Sequence, residues 1–203
     1  MHTFKPNRQQ GFTIIELLIA TLIFSMVLLL VTVGIMQVTR VYYKGVTESN
    51  TQNVARSIVD SISQAIQFDG GIVTTVAGAT PKYQCINSQQ FDFWLGKQLV
   101  DGTPSGNQTN QSLIQRTVGG CVAPGGVITG RELLSPHMRL SDFSITPVAG
   151  SSNLFKVHVK VVYGDDDLLN NPTATTAACK NIRSGTQFCA VTDLTATVQK
   201  RVK

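Results

Sequence analysis

Charge is what this sequence has least of. Only 14% of its 203 residues are charged, against roughly 25% in an average globular chain, and Gly, Ser, Thr, Asn and Gln fill the gap. That composition suits a strand- and loop-rich domain outside the cytoplasm better than a helical cytosolic enzyme. Histidine is sparse too: His2, His137 and His158 are spread along the chain, and no Cys-x-x-Cys occurs. A zinc site therefore lacks its usual ligand spacing. Ser135 lies near His137, but no nucleophile-elbow or triad signature surrounds it, which argues against an active site. No repeat recurs at a fixed period. The length is enough for one ordinary domain plus an anchor and too short for two comfortable domains.

The net charge of +5 is mild and uneven. Lys5 and Arg8 stand near the start, and Lys200, Arg201 and Lys203 crowd the end. Such a balance is weak evidence for binding DNA or anionic lipid. The basic tail and Lys156 and Lys160 could meet DNA phosphates, but a solvated edge that discourages strand pairing is the simpler reading. The four cysteines, Cys85, Cys121, Cys179 and Cys189, allow three pairings. In a domain outside the cytoplasm two disulfides are the natural state. The nearest pair, Cys179 with Cys189, would close a short loop worth roughly 3 kcal/mol, leaving Cys85 with Cys121.

A long apolar run is what the sequence does have. From Leu17 to Thr39 no residue carries a formal charge. As a helix this run spans about 35 Å, enough to cross a hydrocarbon core of about 30 Å. Lys5 and Arg8 precede it and place the leader in the cytoplasm by the positive-inside rule, although Arg40 and Lys44 follow on the far side. A secretory signal peptide would have a shorter core ending in a small-x-small cleavage site. This run continues instead through Gln37-Val38-Thr39-Arg40-Val41-Tyr42-Tyr43. A plain signal anchor leaves Glu16 unexplained, because a carboxylate at bilayer depth costs roughly 2.5–3.5 kcal/mol and marks function by default.

The residues Gly11-Phe12-Thr13-Ile14-Ile15-Glu16-Leu17-Leu18-Ile19-Ala20 resemble the prepilin signature of type IV pilins and type II secretion pseudopilins. The resemblance implies that a membrane prepilin peptidase cuts after Gly11 and methylates Phe12, and that Glu16 acts in assembly. Gly11 has no side chain to hinder a protease. Cutting there removes Lys5 and Arg8 and leaves an α-amino group on Phe12 that is cationic below a pKa of about 7.7–8.0. Glu16 can offset the helix dipole of its own subunit or meet the Phe12 amine of a neighbour, where a buried pair fixes register more than it adds stability.

Downstream, Val54, Ile58, Ile62 and Ile66 recur every four residues, flanked by Ala55, Val59 and Ala65, with Arg56, Asp60, Ser63 and Gln64 opposite. This is an amphipathic stripe. It predicts one helix from about Phe12 to Phe68, with bends at Gly34 and Gly45 and a stop at Asp69-Gly70-Gly71. Strands are predicted for Phe91 to Leu95 and Gln98 to Val100 about a Gly96-Lys97 turn, for Ser112 to Val118, and for Ser141 to Thr146. In Leu154 to Tyr163 the residues Phe155, Val157, Val159, Val161 and Tyr163 alternate with Lys156, His158 and Lys160, the mark of a sheet with one buried face. Ala190 to Val198 reads as a last strand, with loops at Gly102 to Gln111 and Asn170 to Ala178. Trp94 reads as core, and His158 as the exposed face of its strand.

The expected architecture is α+β and pilin-like, a long N-terminal helix packed on a mostly antiparallel sheet. Its parts are a cleaved leader (1–11), a transmembrane and filament-core helix half (12–40), an amphipathic half (41–68) and an extracytoplasmic head (69–203). The stretch from Cys179 to Cys189 resembles the disulfide-bounded region of many pilins, placed before a terminal strand. Many major pilins have a proline in the membrane half of the helix. Its absence here points to a minor pilin or pseudopilin. The expected partners are other pilin or pseudopilin subunits, the prepilin peptidase, an inner-membrane assembly platform and membrane lipid. The expected location is the cytoplasmic membrane and then a periplasmic or cell-surface filament. Asp165-Asp166-Asp167 could bind calcium, as some pseudopilins do in such loops, but no EF-hand spacing follows and a solvated turn fits better. No other cofactor is expected. The competing reading is a membrane-tethered binding or sensing domain with no assembly role.

Overall fold

A computed structural model of the chain describes residues 11–68, 81–99, 111–125, 128–181 and 185–201, and the backbone of 73–76. The leader up to residue 10, Asp69-Gly70-Gly71, Val100, the span 101–110 and Lys203 lie outside the described residues. Two compact units are present, 1–42 and 43–203.

One helix, α1 (Ile14–Phe68), supplies the described part of the first unit beyond residue 13 and enters the second. Thr13 is its N-cap residue, and the Thr13 carbonyl accepts the first helical bond from Leu17 N–H at 3.2 Å. Threonine suits this position. In the apolar stretch the hydroxyls of Thr21, Ser25, Thr32 and Thr39 donate to the carbonyls of Leu18, Leu22, Leu28 and Ile35. Each of these hydroxyls is thus satisfied within the helix, as a hydrocarbon solvent requires. The helix is continuous through Gly34 and Gly45.

In the second unit the face of α1 bearing Thr51, Ala55, Ile58, Val59, Ile62, Ala65 and Ile66 is buried. Of the predicted stripe Ile58, Ile62 and Ile66 are buried with their flanking Ala55, Val59 and Ala65, and Val54 is partly buried. The strands are β1 (Val73–Val76), β2 (Lys82–Ile86), β3 (Gln89–Phe93), β4 (Leu113–Thr117), β5 (Arg131–Glu132), β6 (Met138–Pro147), β7 (Leu154–Tyr163), β8 (Leu169–Asn170), β9 (Ala178–Cys179) and β10 (Ala190–Gln199). They form a five-stranded sheet β1-β2-β3-β4-β5, a three-stranded sheet β10-β7-β6 and a small β8-β9 ladder. Every strand-to-strand ladder is antiparallel.

The alternation along β7 explains the core. Val157, Val159 and Val161 are fully buried with Phe155, in one cluster with α1 and with Phe91, Phe93, Leu113, Phe143 and Ile145. Burying one such side chain contributes roughly 1.5–3 kcal/mol. Phe93 packs edge-on against Phe143 with centroids 4.7 Å apart. Disulfides join Cys85 to Cys121 and Cys179 to Cys189.

Two expectations are corrected. The segment after β3 does not fold back as a hairpin about Gly96-Lys97. Leu95 and Gln98 bridge instead to Leu140 and Arg139 of β6, so this turn covers the edge of the three-stranded sheet. Gly96 has a φ of 73°, and an added Cβ would stand 2.5 Å from Thr173 Cα, so only glycine fits both the turn and the close approach. Trp94 is half-buried rather than core. The Lys97 ammonium sits 4.9 Å from its ring centroid, a cation–π contact at the surface.

Candidate functional site

The start of α1 brings Gly11, Phe12, Thr13 and Glu16 together. Gly11 is exposed, with open space where a Cβ would stand. Phe12 is 79% exposed and precedes the helix. Glu16 is the acidic residue of the first turn, where the helix dipole favours a negative charge. With Thr13 as N-cap, Glu16 occupies the third helical position. Thr-x-x-Glu is the capping-box pattern, in which the acid reaches back toward the cap's own N–H. That pattern is legible in Thr13-Ile14-Ile15-Glu16.

Every residue from Gly11 to Val46 is exposed. Soluble monomers rarely expose contiguous apolar patches beyond a few hundred Å², so lipid or neighbouring chains must cover this surface. The helix is long and apolar enough to cross a membrane. Tyr42 and Tyr43 close the apolar stretch beside Arg40 and Lys44, as aromatic and basic side chains do at a bilayer interface.

The remaining predicted positions lie in the head. Asp165 Oδ1 accepts from Gln98 Nε2 at 2.7 Å and lies 3.2 Å from His137 Nδ1. The bond from Gln98, then that with His137, holds its carboxyl below the usual carboxylate range. Asp166 pairs with Arg139 at 2.6 Å. The buried Arg139 guanidinium also donates to the Gly164 carbonyl at 3.0 Å, fixing the turn from below. Lys180 Nζ donates to the Asp167 carbonyl. His158 lies on the polar face of β7 between Asp193 at 2.8 Å and Asp142 at 3.4 Å. Lys160 donates to the Thr175 carbonyl, while Lys156 is exposed. Among the described residues no group of three or more His, Cys, Asp or Glu side chains is placed to hold a metal ion.

Sequence reasoning missed a buried polar cluster on the outer face of the five-stranded sheet. Asp92, fully buried, pairs with Arg116 at 2.5 Å and accepts from Gln90 Nε2 at 2.6 Å. The Gln90 carboxamide also donates to the Val122 carbonyl and accepts from its N–H. With Cys85–Cys121, this pins the loop at residues 118–125 onto the sheet.

A helix long and apolar enough to cross a membrane, with an acidic first turn, is joined in one chain to an antiparallel head. Residues 6–32 match the family model described as the prokaryotic N-terminal methylation motif, so the chain carries the type IV pilin and pseudopilin signature. The match lies wholly in the leader and the first part of α1. It supports prepilin-type processing and a structural rather than enzymatic role. No curated protein and no solved structure matches the chain.

Proposed function

We propose that this chain is the precursor of a structural subunit, a minor pilin or pseudopilin, of a type IV pilus-like filament. A prepilin peptidase cuts after Gly11 and methylates Phe12. The subunit waits in the cytoplasmic membrane with its head outside the cytoplasm, then enters a filament through its N-terminal helix on an inner-membrane platform. The observation that carries this reading is Glu16, an exposed first-turn carboxylate at the head of an uncharged apolar helix. A simple anchor has no use for it. A chain newly cut after Gly11 does, because the Phe12 ammonium of a neighbour is its natural partner. Such filaments serve adhesion, motility, DNA uptake or protein secretion.

The test is intact mass and N-terminal sequencing of the protein isolated from its own membranes. The expected chain starts at Phe12 and carries one added methyl group. A chain still starting at Met1 would overturn the reading in favour of a tethered binding or sensing domain.

A further inference from the structure

Beside the last turns of α1, within the second unit, an open groove crosses the β3, β4 and β5 side of the five-stranded sheet. It consists of two adjoining cavities of about 350 and 510 Å³ that share Gln89, Gln115 and Arg131. Ser61, Gln64 and Phe68 of α1 form one wall. On the floor the carboxamides run across the strands: Gln115 Nε2 donates to Gln89 Oε1, and Gln89 Nε2 to Thr117 Oγ1, both at 3.3 Å. Arg116 and Thr129 extend the lining.

The chemistry of this lining is one-sided. Its described residues include no carboxylate. The Arg116 charge is balanced by Asp92, whereas among the described residues no carboxylate pairs with the exposed Arg131. Gly130 sets Arg131 there. A Cβ at Gly130 would stand 2.4 Å from Ile114 Cγ2 and 2.7 Å from the Gln115 carbonyl, so only glycine lets β5 lie this close on β4. A guanidinium fork matches a carboxylate, carboxamides and hydroxyls match sugar hydroxyls, and Phe68, 65% exposed, adds an aromatic side chain to the groove wall. Duplex DNA, with a charge about every 1.7 Å, calls for several free cations. A peptide calls for side-chain pockets that this polar floor does not provide.

We propose that the groove binds an acidic polysaccharide, seating a uronate carboxylate on Arg131, sugar hydroxyls on the carboxamide floor and one ring on Phe68. The choice of such a polymer rests on the head lying outside the cytoplasm, as proposed above. Binding in solution does not depend on processing, so failure of one reading leaves the other standing.

The experiment is fluorescence polarisation with a labelled galacturonate hexamer and the purified full chain in detergent. Maltohexaose, hexaglutamate and a DNA duplex serve as competitors. Saturable binding is expected. Arg131→Gln and Phe68→Ala should each weaken it by at least about tenfold, as loss of one charge-assisted or stacking partner predicts, and Arg131→Lys should fall between. Both side chains are exposed, so unchanged melting temperatures check that the variants are folded. The proposal is overturned by no binding at millimolar hexamer, by variants that bind like wild type, or by any competitor that displaces the hexamer as well as unlabelled galacturonate does.

Discussion

Glu16 stands where two physical roles coincide, and substitution can separate them. As the third residue of α1 it stands at the capping-box position relative to Thr13, a position glutamine suits as well as glutamate. As a carboxylate it can neutralise a neighbour's cationic Phe12 terminus, a role glutamine cannot fill. Glu16→Gln should therefore leave cleavage after Gly11 intact but reduce incorporation into sheared filaments as severely as Glu16→Ala does. Quantitative immunoblots of the sheared and membrane fractions measure this. Normal incorporation of the glutamine variant would reduce the residue to a helix cap. Glu132 makes a second prediction at this scale. Its carboxylate accepts backbone N–H bonds from Ser112, Leu113 and Leu134 at 2.9, 2.8 and 3.2 Å, yet burial dominates and raises its pKa above the ordinary range. A folded carboxyl that keeps its proton longer than the unfolded one is most favourable at low pH. Its contribution is lost as pH rises from the unfolded value through the raised folded value. The stability of wild type minus that of Glu132→Gln should fall across that window and then level, as urea unfolding at a series of pH values would show. A pH-independent difference would contradict the burial argument.

Among the elements, the strands differ in how much of their packing is written in their sequence. β7 and β10 were legible because one face packs in the core with α1 and the other is largely polar, so apolar and polar residues alternate until Val162, which is buried in a second small cluster with Leu169, Ala177 and Cys189. β2 was not, and β3 only over Phe91 to Phe93: Gln84, Gln90 and Asp92 are as buried as Tyr83, Phe91 and Phe93, because the loop at 118–125 crosses the outer face of their sheet. With both faces covered the period-two signal disappears, and buried polar residues pass for a loop. The groove was illegible for a related reason, since its residues come from three separate stretches that only the fold brings together. Gln90 is the side chain that makes the loop's cover possible. Gln90→Ala would remove the partner of the Val122 N–H, leave the Val122 carbonyl with Arg116 alone, and take from the buried Asp92 carboxylate its bond from Gln90, leaving Arg116 as its remaining named partner. An unsatisfied buried polar group costs about 1–3 kcal/mol, so a fall in melting temperature of several degrees is expected for a domain of this size. The Cys85–Cys121 bond should persist, as a thiol assay would confirm. A change below about 1 °C would mean that the disulfide alone holds the loop.

For the molecule as a whole, the core of the second unit is drawn from residue 54 onward, and its two disulfides close loops of 36 and 10 residues within the head. In the chain-entropy model these are worth roughly 4 and 3 kcal/mol. The apolar surface from Gly11 to Tyr42 supplies none of that core, so its presence in the chain calls for a different cause. A protein beginning at Tyr43 should therefore be soluble without detergent. It should form both disulfides and melt within about 5 °C of the full chain in detergent. Circular dichroism melting of the two proteins, with a thiol assay on the shorter one, decides the point. If the shortened chain aggregates or melts without cooperativity, the N-terminal helix is part of the fold. If it behaves as expected, the apolar helix with Glu16 at its head owes nothing to the stability of the domain. Lipid and neighbouring subunits are then what its sequence answers to.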